Sequence, residues 1–129
     1  ATALIRQTKQ AMIRYPKSKM WELCGGDISQ VSGRTAFDAM RAGDAVAKNV
    51  CDRYIEYIAE GLVDIVNVFR PETLIIGGGI CKEGDTLLVP IKNFINKYAY
   101  GGSLNPEQHI EIAKLGNDAG IIGAALIHA

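Results

Sequence analysis

The sequence lacks a surplus of charge of either sign. Fourteen Lys and Arg residues balance fourteen Asp and Glu residues, so the formal net charge of the 129-residue chain is zero at neutral pH. Recognition of nucleic acid or of an anionic membrane depends on clustered Lys and Arg. The balance therefore favours a small molecule or a protein as the partner, with no role for a membrane.

The sequence also has few cysteines, no long apolar run and no leader pattern. Cys24, Cys51 and Cys81 are widely spaced and form no C-x-x-C pair, which argues against a zinc knuckle or a disulfide framework and favours free thiols in a reducing cytoplasm. No apolar run reaches the roughly 20 residues that span a bilayer. The chain begins without a signal pattern or an initiator Met, so we expect residues 1–129 to be a single, incomplete domain that starts within a helix.

The first third of the chain predicts a helix and a loop. Apolar residues with helical spacing over 1–15 predict an amphipathic helix, which Pro16 ends because the residue before a proline avoids helical geometry. The stretch 16–33 has no sustained period and predicts a loop whose sharpest turn is at Cys24–Asp27.

Two helices with their own capping signals follow. Thr35 is predicted to be the N-cap of a short helix, with Asp38 three residues later completing a capping box, and Gly43 is placed to close that helix in the left-handed conformation. Asp44 is predicted to cap a long helix that extends to Phe69. The glycine inside that helix, at position 61, predicts close packing against a neighbour.

The remainder alternates strands and helices, which predicts an α/β fold. Thr73–Ile76 is a short β-branched run, typical of a parallel strand buried on both faces, and His109–Ala113 is a second strand. The order strand, helix, strand, helix implies right-handed parallel connections. An open sheet usually has about four to six strands, so we expect the missing strands to lie outside this chain.

The helices of this part are bounded by their own signals. The helix between the strands is predicted over Thr86–Ala99, with Pro90 tolerated in its first turn. Asn117 or Asp118 is predicted to cap a last helix that continues to Ile127. For Asp118, capping is the favoured role.

Three consecutive glycines, Gly77, Gly78 and Gly79, follow the first strand directly. In open α/β sheets ligands bind beyond the carboxyl ends of the strands, and glycines there offer backbone N–H groups to phosphate or ribose oxygens. The pattern is neither G-x-G-x-x-G, since Lys82 stands where the third glycine would be, nor a Walker loop. From this motif alone, a nucleotide site and a ligand-free turn both remain open.

Four segments extend the pattern along the chain. The first, 35–44, ends in Arg-Ala-Gly-Asp, and the second, 69–80, contains an aromatic residue, Pro-Glu, an apolar strand and three glycines. The third, 87–91, is the start of a helix, and the fourth, 113–125, is a closing strand and helix. In this order they resemble the carboxyl-terminal part of the ROK family. The resemblance covers essentially the whole chain.

The resemblance implies the actin-like, ribonuclease-H-like fold of sugar kinases, in which two lobes close over a sugar and ATP. By position, Gly77, Gly78 and Gly79 would lie against the adenosine and its phosphates, and Gly116 and Asn117 at the end of the neighbouring strand. It also implies ATP with Mg²⁺, a hexose substrate such as glucose, and a homodimer in which the helix 45–69 is a candidate interface.

Motifs of the family that carry the chemistry are absent from this sequence. It has no Asp-x-Gly-Gly-Thr stretch, no catalytic Asn-Asp pair at the expected place, and no zinc motif, so a structural Zn²⁺ is expected only in an upstream part. We therefore predict no catalytic residue and no metal ligand here, and no kinase activity for this segment alone. Lys82 and Lys114 are expected to be solvated, and the two histidines, at 109 and 128, are expected to lack neighbouring carboxylates.

Three functions remain open at this point. The protein can be a hexose kinase, such as a glucokinase. It can be a sugar-responsive repressor, because the same family includes proteins with a DNA-binding helix-turn-helix ahead of this fold, and only then would nucleic acid be a partner. It can also be a non-catalytic module for nucleotide binding or oligomerisation.

Overall fold

The computed structural model describes residues 2–102, 108–115 and 118–127. The chain divides into two compact units, Ala1–Ile55 and Glu56–Ala129. The first unit is helical, whereas the second contains both strands and the glycine turn. No helix within the described ranges combines the length and the apolar character needed to cross a bilayer.

The first unit begins with the predicted helix and loop. Helix α1 (Thr2–Arg14) ends just before Tyr15 and Pro16, as the proline predicts. The loop after it contains a one-turn helix, α2 (Met20–Leu23), and a 3-10 turn at Ile28–Gln30. The side chain of Trp21 joins this loop to α1, since its Nε1–H donates a hydrogen bond to the carbonyl oxygen of Met12 at 2.9 Å.

The capping box predicted at Thr35 is wrong. Helix α3 (Thr35–Arg41) has Arg34 at its N-cap position, with no side-chain cap, and Thr35 is already its first residue. The Thr35 hydroxyl instead accepts a hydrogen bond from the backbone N–H of Ser32 at 3.0 Å, so the preceding turn occupies it. Asp38 forms an ion pair with Arg41 across one helical turn at 2.5 Å.

The cap predicted at Asp44 is confirmed. Helix α4 (Ala45–Phe69) starts directly after it, and the carboxylate accepts hydrogen bonds from the backbone N–H groups of Val46 at 2.7 Å and Ala47 at 2.9 Å. The preceding Gly43 has φ +86°, the left-handed conformation that closes α3. Gly61, however, is exposed, and a Cβ placed there would meet no described atom within 4 Å, so the predicted close packing is not found.

In the second unit, two parallel strands are joined through a helix. Strand β1 (Thr73–Ile76) pairs with strand β2 (His109–Ile112) in the register Thr73 to His109 and Ile76 to Ile112. Helix α5 (Asp85–Tyr98) connects them, and helix α6 (Ala119–Leu126) follows. This is the α/β arrangement that the sequence predicts.

One face of the sheet is covered and the other is open. Leu74 and Ile110 are buried, as are Leu87, Ile91 and Ile95 along one side of α5. Ile75, which points to the opposite face of β1, is 65% exposed. The burial on both faces predicted for β1 is therefore not found among the described residues, because successive strand residues alternate between faces and α5 covers only one of them.

Two helix-terminal predictions are corrected. Pro90 lies in the second turn of α5, not in the first. Because proline has no N–H, it cannot donate the helical hydrogen bond to the carbonyl oxygen of Thr86, four residues earlier. Asp118 occupies the N-cap position of α6, but its side chain makes no capping hydrogen bond. The apolar side chains of α6 are exposed, Ile121 at 74% and Leu126 at 64%.

Candidate functional site

The carboxyl ends of the two strands meet at one edge of the sheet. Ile76 and Ile112, the last residues of β1 and β2, are register partners. The pairing continues one step further, since the N–H of Ala113 donates to the carbonyl oxygen of Ile76 at 2.8 Å. Gly77 leaves β1 at this point, so the three glycines begin where ligands of open α/β sheets bind.

The glycine turn requires glycine at its centre. Gly78 has φ +96° and ψ 176°, a region that is essentially restricted to glycine. Gly79 then begins a 3-10 turn, Gly79–Glu83, and Gly84, with φ +56° and ψ −128°, leads into α5. The chain thus reverses from strand to helix through Gly78 and Gly84, whose backbone conformations are unfavourable for a residue with a side chain.

The turn presents open backbone at the edge of the sheet. Gly77, Gly78 and Gly79 are all exposed. Within residues 2–102, 108–115 and 118–127, no acceptor receives a hydrogen bond from the N–H groups of Gly78 and Gly79. A Cβ on Gly79 would meet no described atom within 4 Å, and one on Gly77 would meet only the Cβ of Ala113, at 3.8 Å. Such amides can donate to phosphate or ribose oxygens that approach the backbone closely.

Cys81 flanks the glycine turn, and its contacts there are not evident from the sequence, which indicates only a free thiol. Its backbone N–H donates to the carbonyl oxygen of Gly78 at 3.1 Å, and its thiol donates to the carbonyl oxygen of Ile76 at 3.2 Å. Burial raises the pKa of this thiol above its ordinary value. The only sequence signal was its place two residues after the last glycine of the run.

The other predicted residues divide into those the structure describes and those it does not. Gly116 and Asn117, the nucleotide-side residues expected at the end of the second strand, lie outside the described residues. Lys82 and Lys114 are exposed, as predicted.

One prediction about metal ligands needs correction. His109 does have a neighbouring carboxylate, because its Nε2 lies 2.9 Å from Oε1 of Glu111 two residues along β2. The two side chains meet because residues i and i+2 of a strand share a face. In the described part of the chain, no group of three or more His, Cys, Asp and Glu side chains is placed to hold a metal ion.

A separate cavity of about 320 Å³ lies at the other end of the strands. It is formed where β1 and β2 begin, and its lining includes Asn67, Arg70, Glu72, Tyr100 and Gln108. The glycine turn follows the last residue of β1, so this cavity is not part of the candidate nucleotide site.

Comparison with known proteins identifies the family. The ROK family pattern matches residues 2–129. The chain belongs to the ROK family. Similar proteins include a glucokinase from Halalkalibacterium halodurans, 40% identical over 95% of this chain, and a glucokinase from Thermotoga maritima, 32% identical over 98% of it. A beta-glucoside kinase from Klebsiella pneumoniae is 31% identical over 87% of this chain.

A solved structure gives the fold of this family member. The crystal structure of a ROK family glucokinase from Streptomyces griseus, in complex with glucose and AMPPNP, matches 98% of this chain with a TM-score of 0.85 and 31% identity. The α/β arrangement is accordingly part of the actin-like ATPase fold. The chain spans 41% of that glucokinase, and 37% and 39% of the two bacterial glucokinases above.

Proposed function

We propose that this chain is the nucleotide-side portion of an ATP-dependent hexose kinase, with glucose as the substrate. The observation that carries the proposal is the open glycine turn at the carboxyl ends of two parallel strands, in a chain of the ROK family. The proposal is supported by the Streptomyces griseus neighbour, a glucokinase bound to glucose and to AMPPNP, which is an analogue of ATP.

In this proposal the described residues hold ATP and do not perform the chemistry. The N–H groups of Gly78 and Gly79, which donate to no described acceptor, would donate to oxygens of the nucleotide, and Gly77 keeps the approach clear. Gly116 and Asn117 stay predicted members of the same site. Mg²⁺ would arrive on the triphosphate, where it neutralises the charge that develops during in-line transfer of the γ-phosphoryl group. No acidic cluster of the described residues is available to hold it alone.

The general base that takes the proton of the sugar hydroxyl must come from another part of the protein. The carboxylates of Asp85 and Asp118, which stand at the starts of the helices that follow the two strands, are exposed. An exposed carboxylate with no positioned partner is a poor candidate for a base that must reach a bound hydroxyl. We therefore expect the segment 1–129 alone to be inactive.

The test is a kinase assay of the complete protein that contains this chain. Incubation with Mg²⁺, ATP and glucose should yield ADP and glucose 6-phosphate, and the segment 1–129 assayed in parallel should yield neither. A panel of other hexoses identifies the sugar. Absence of ATP-dependent phosphorylation of every hexose in the panel would contradict the kinase proposal and favour a repressor or a non-catalytic module.

The homodimer and the cytoplasmic location also remain proposals. Helix α4 exposes Tyr57 at 47% and Ile65 at 44% of their surfaces, which suits its role as the candidate interface. Sedimentation equilibrium of the complete protein tests the dimer, since a single species of monomer mass at micromolar concentration would contradict it.

A further inference from the structure

The glycine turn has no side chains of its own to hold it in shape. Glycine has the greatest backbone freedom of any residue, so three in a row lose the most conformational entropy when they are ordered. Their amides can bind a ligand well only if they already point in the right direction, because ordering them at the moment of binding costs affinity. The restraint must therefore come from residues that flank the turn.

Cys81 supplies three hydrogen bonds that close this turn. Its backbone N–H donates to the carbonyl of Gly78 at 3.1 Å, and its own carbonyl accepts from the N–H of Gly84 at 3.1 Å. Its thiol donates to the carbonyl of Ile76 at 3.2 Å. The first two bonds are backbone bonds that any residue except proline could make. Only the third depends on the side chain.

The carbonyl of Ile76 is the point where both strands and the turn meet. It accepts the thiol of Cys81 and also the N–H of Ala113, at 2.8 Å, which is the last bond between the two strands. The thiol thus ties the far side of the turn to the end of the sheet. Gly77, Gly78 and Gly79 lie between the two residues that this bond connects. An ordinary thiol keeps its proton at neutral pH, and burial raises the pKa of this thiol further in the same direction.

We propose that Cys81 is a positioning residue for the nucleotide, whose thiol fixes the Gly78 and Gly79 amides through the carbonyl of Ile76. This role rests on the proposed function of the turn as the ATP site. Cys81 itself need not touch ATP. The thiol acts by holding the donors in place before binding, which should lower the KM for ATP without affecting the sugar.

The test compares four variants of the complete protein by steady-state kinetics. Cys81→Ala and Cys81→Val both remove the donor, and Val also fills the space of the thiol if Ala leaves the protein poorly folded. Cys81→Ser restores a hydrogen-bond donor. Cys24→Ala is the matched control, because the Cys24 thiol also donates to a backbone carbonyl, that of Trp21 at 3.4 Å, but belongs to the helical unit.

We expect Cys81→Ala and Cys81→Val to raise the KM for ATP about fivefold, the effect of one ordinary hydrogen bond. The KM for glucose should stay within about twofold of the wild-type value. Cys81→Ser should restore the KM for ATP, and Cys24→Ala should change neither constant. The KM split and the rescue by Ser separate positioning from a general loss of stability, which would lower the apparent kcat through a smaller folded fraction and leave both KM values unchanged.

The possible failures are distinguishable. An active enzyme whose KM for ATP is unchanged in Cys81→Ala and Cys81→Val, or is not restored in Cys81→Ser, overturns the role of Cys81 and leaves the kinase proposal intact. Equal increases in both KM values overturn it as well. A wild-type protein that neither phosphorylates glucose nor binds AMPPNP in calorimetry overturns the proposed function, and the role of Cys81 with it.

Discussion

The Asp44 carboxylate is hydrogen-bonded both to the start of α4 and to the loop that contains Ser18 and Lys19. Its removal should destabilise the helical unit strongly. This carboxylate is buried and accepts four hydrogen bonds. Two come from Val46 and Ala47 at the helix start, and two from the preceding loop: the Ser18 hydroxyl at 2.6 Å and the Lys19 backbone N–H at 2.6 Å. We consider the change Asp44→Ala, which removes all four acceptors at once.

The expected loss of stability is the sum of two effects. Removing the helix cap costs about 0.5–2 kcal/mol. Leaving the buried Ser18 hydroxyl without its acceptor costs about 1–3 kcal/mol. The Lys19 N–H adds less, because Lys19 is exposed and water can replace the carboxylate. The total is about 1.5–5 kcal/mol, a substantial part of the roughly 5–15 kcal/mol that stabilises a typical domain.

Urea unfolding followed by tryptophan fluorescence measures this loss. Trp21 is the single tryptophan of the sequence and belongs to the same helical unit, so its emission reports on the segment that Asp44 holds. Asp64→Ala is the control, since Asp64 is exposed on α4 and its loss should change the free energy of unfolding by less than about 0.5 kcal/mol. A loss for Asp44→Ala below about 1 kcal/mol, or equal to that of the control, would refute the reasoning.

Three further predictions follow from the same structure. Desolvation raises the pKa of Asp44, but the hydrogen bonds from Ser18, Ala47, Lys19 and Val46 outweigh it and hold the pKa below the ordinary 3.8. The stability that Asp44 contributes should therefore be present above pH 3.8 and be lost as the pH falls further. Urea unfolding measured at several pH values should show this acid loss in the wild type but not in Asp44→Asn. Gly61→Ala should stabilise the protein by about 0.5–1 kcal/mol in thermal unfolding, because the site is exposed and helical; a destabilisation would indicate a neighbour packed there in the complete protein. Gly78→Ala should lower the melting temperature more than Gly79→Ala, since only Gly78 has a positive φ, and equal effects would contradict the assigned turn.

The fold was largely readable from the sequence because its signals are local. Proline at 16 and 71, glycine at 43 and the carboxylate at 44 each act on the nearest turn of chain, and the helix and strand limits agree with them to within a residue or two. The β-branched run before the glycines likewise forms a parallel strand. Local chemistry is sufficient for such features.

The errors concern features that depend on contacts or on which partner a side chain selects. Thr35 has the residue type of an N-cap, but its hydroxyl accepts from Ser32 instead. Gly61 lies inside a helix, which predicts close packing against a neighbour, yet a Cβ placed there would meet no described atom within 4 Å. A sequence pattern cannot decide between two hydrogen-bond partners of similar quality, nor does it show what covers a helix face.

At the candidate site, too, local features could be predicted from the sequence, whereas contacts between separated residues could not. The three glycines and their place after a strand were predicted. The structure adds the positive φ of Gly78 and shows that the amides of Gly78 and Gly79 donate to no described acceptor. The bond from Cys81 to Ile76 joins residues on opposite sides of the turn. It could not be inferred from spacing, because it depends on how sharply the chain reverses through the glycines.

The central claim is that the glycine turn holds ATP in a ROK hexose kinase, and one measurement tests it most directly. Gly79→Val in the complete protein adds bulk where a Cβ meets no described atom within 4 Å, so the turn itself can accommodate the change and a bound nucleotide could not. We predict that the KM for ATP rises about tenfold or more while the KM for glucose changes little. Equal increases in both constants, or no change in the KM for ATP, would contradict it.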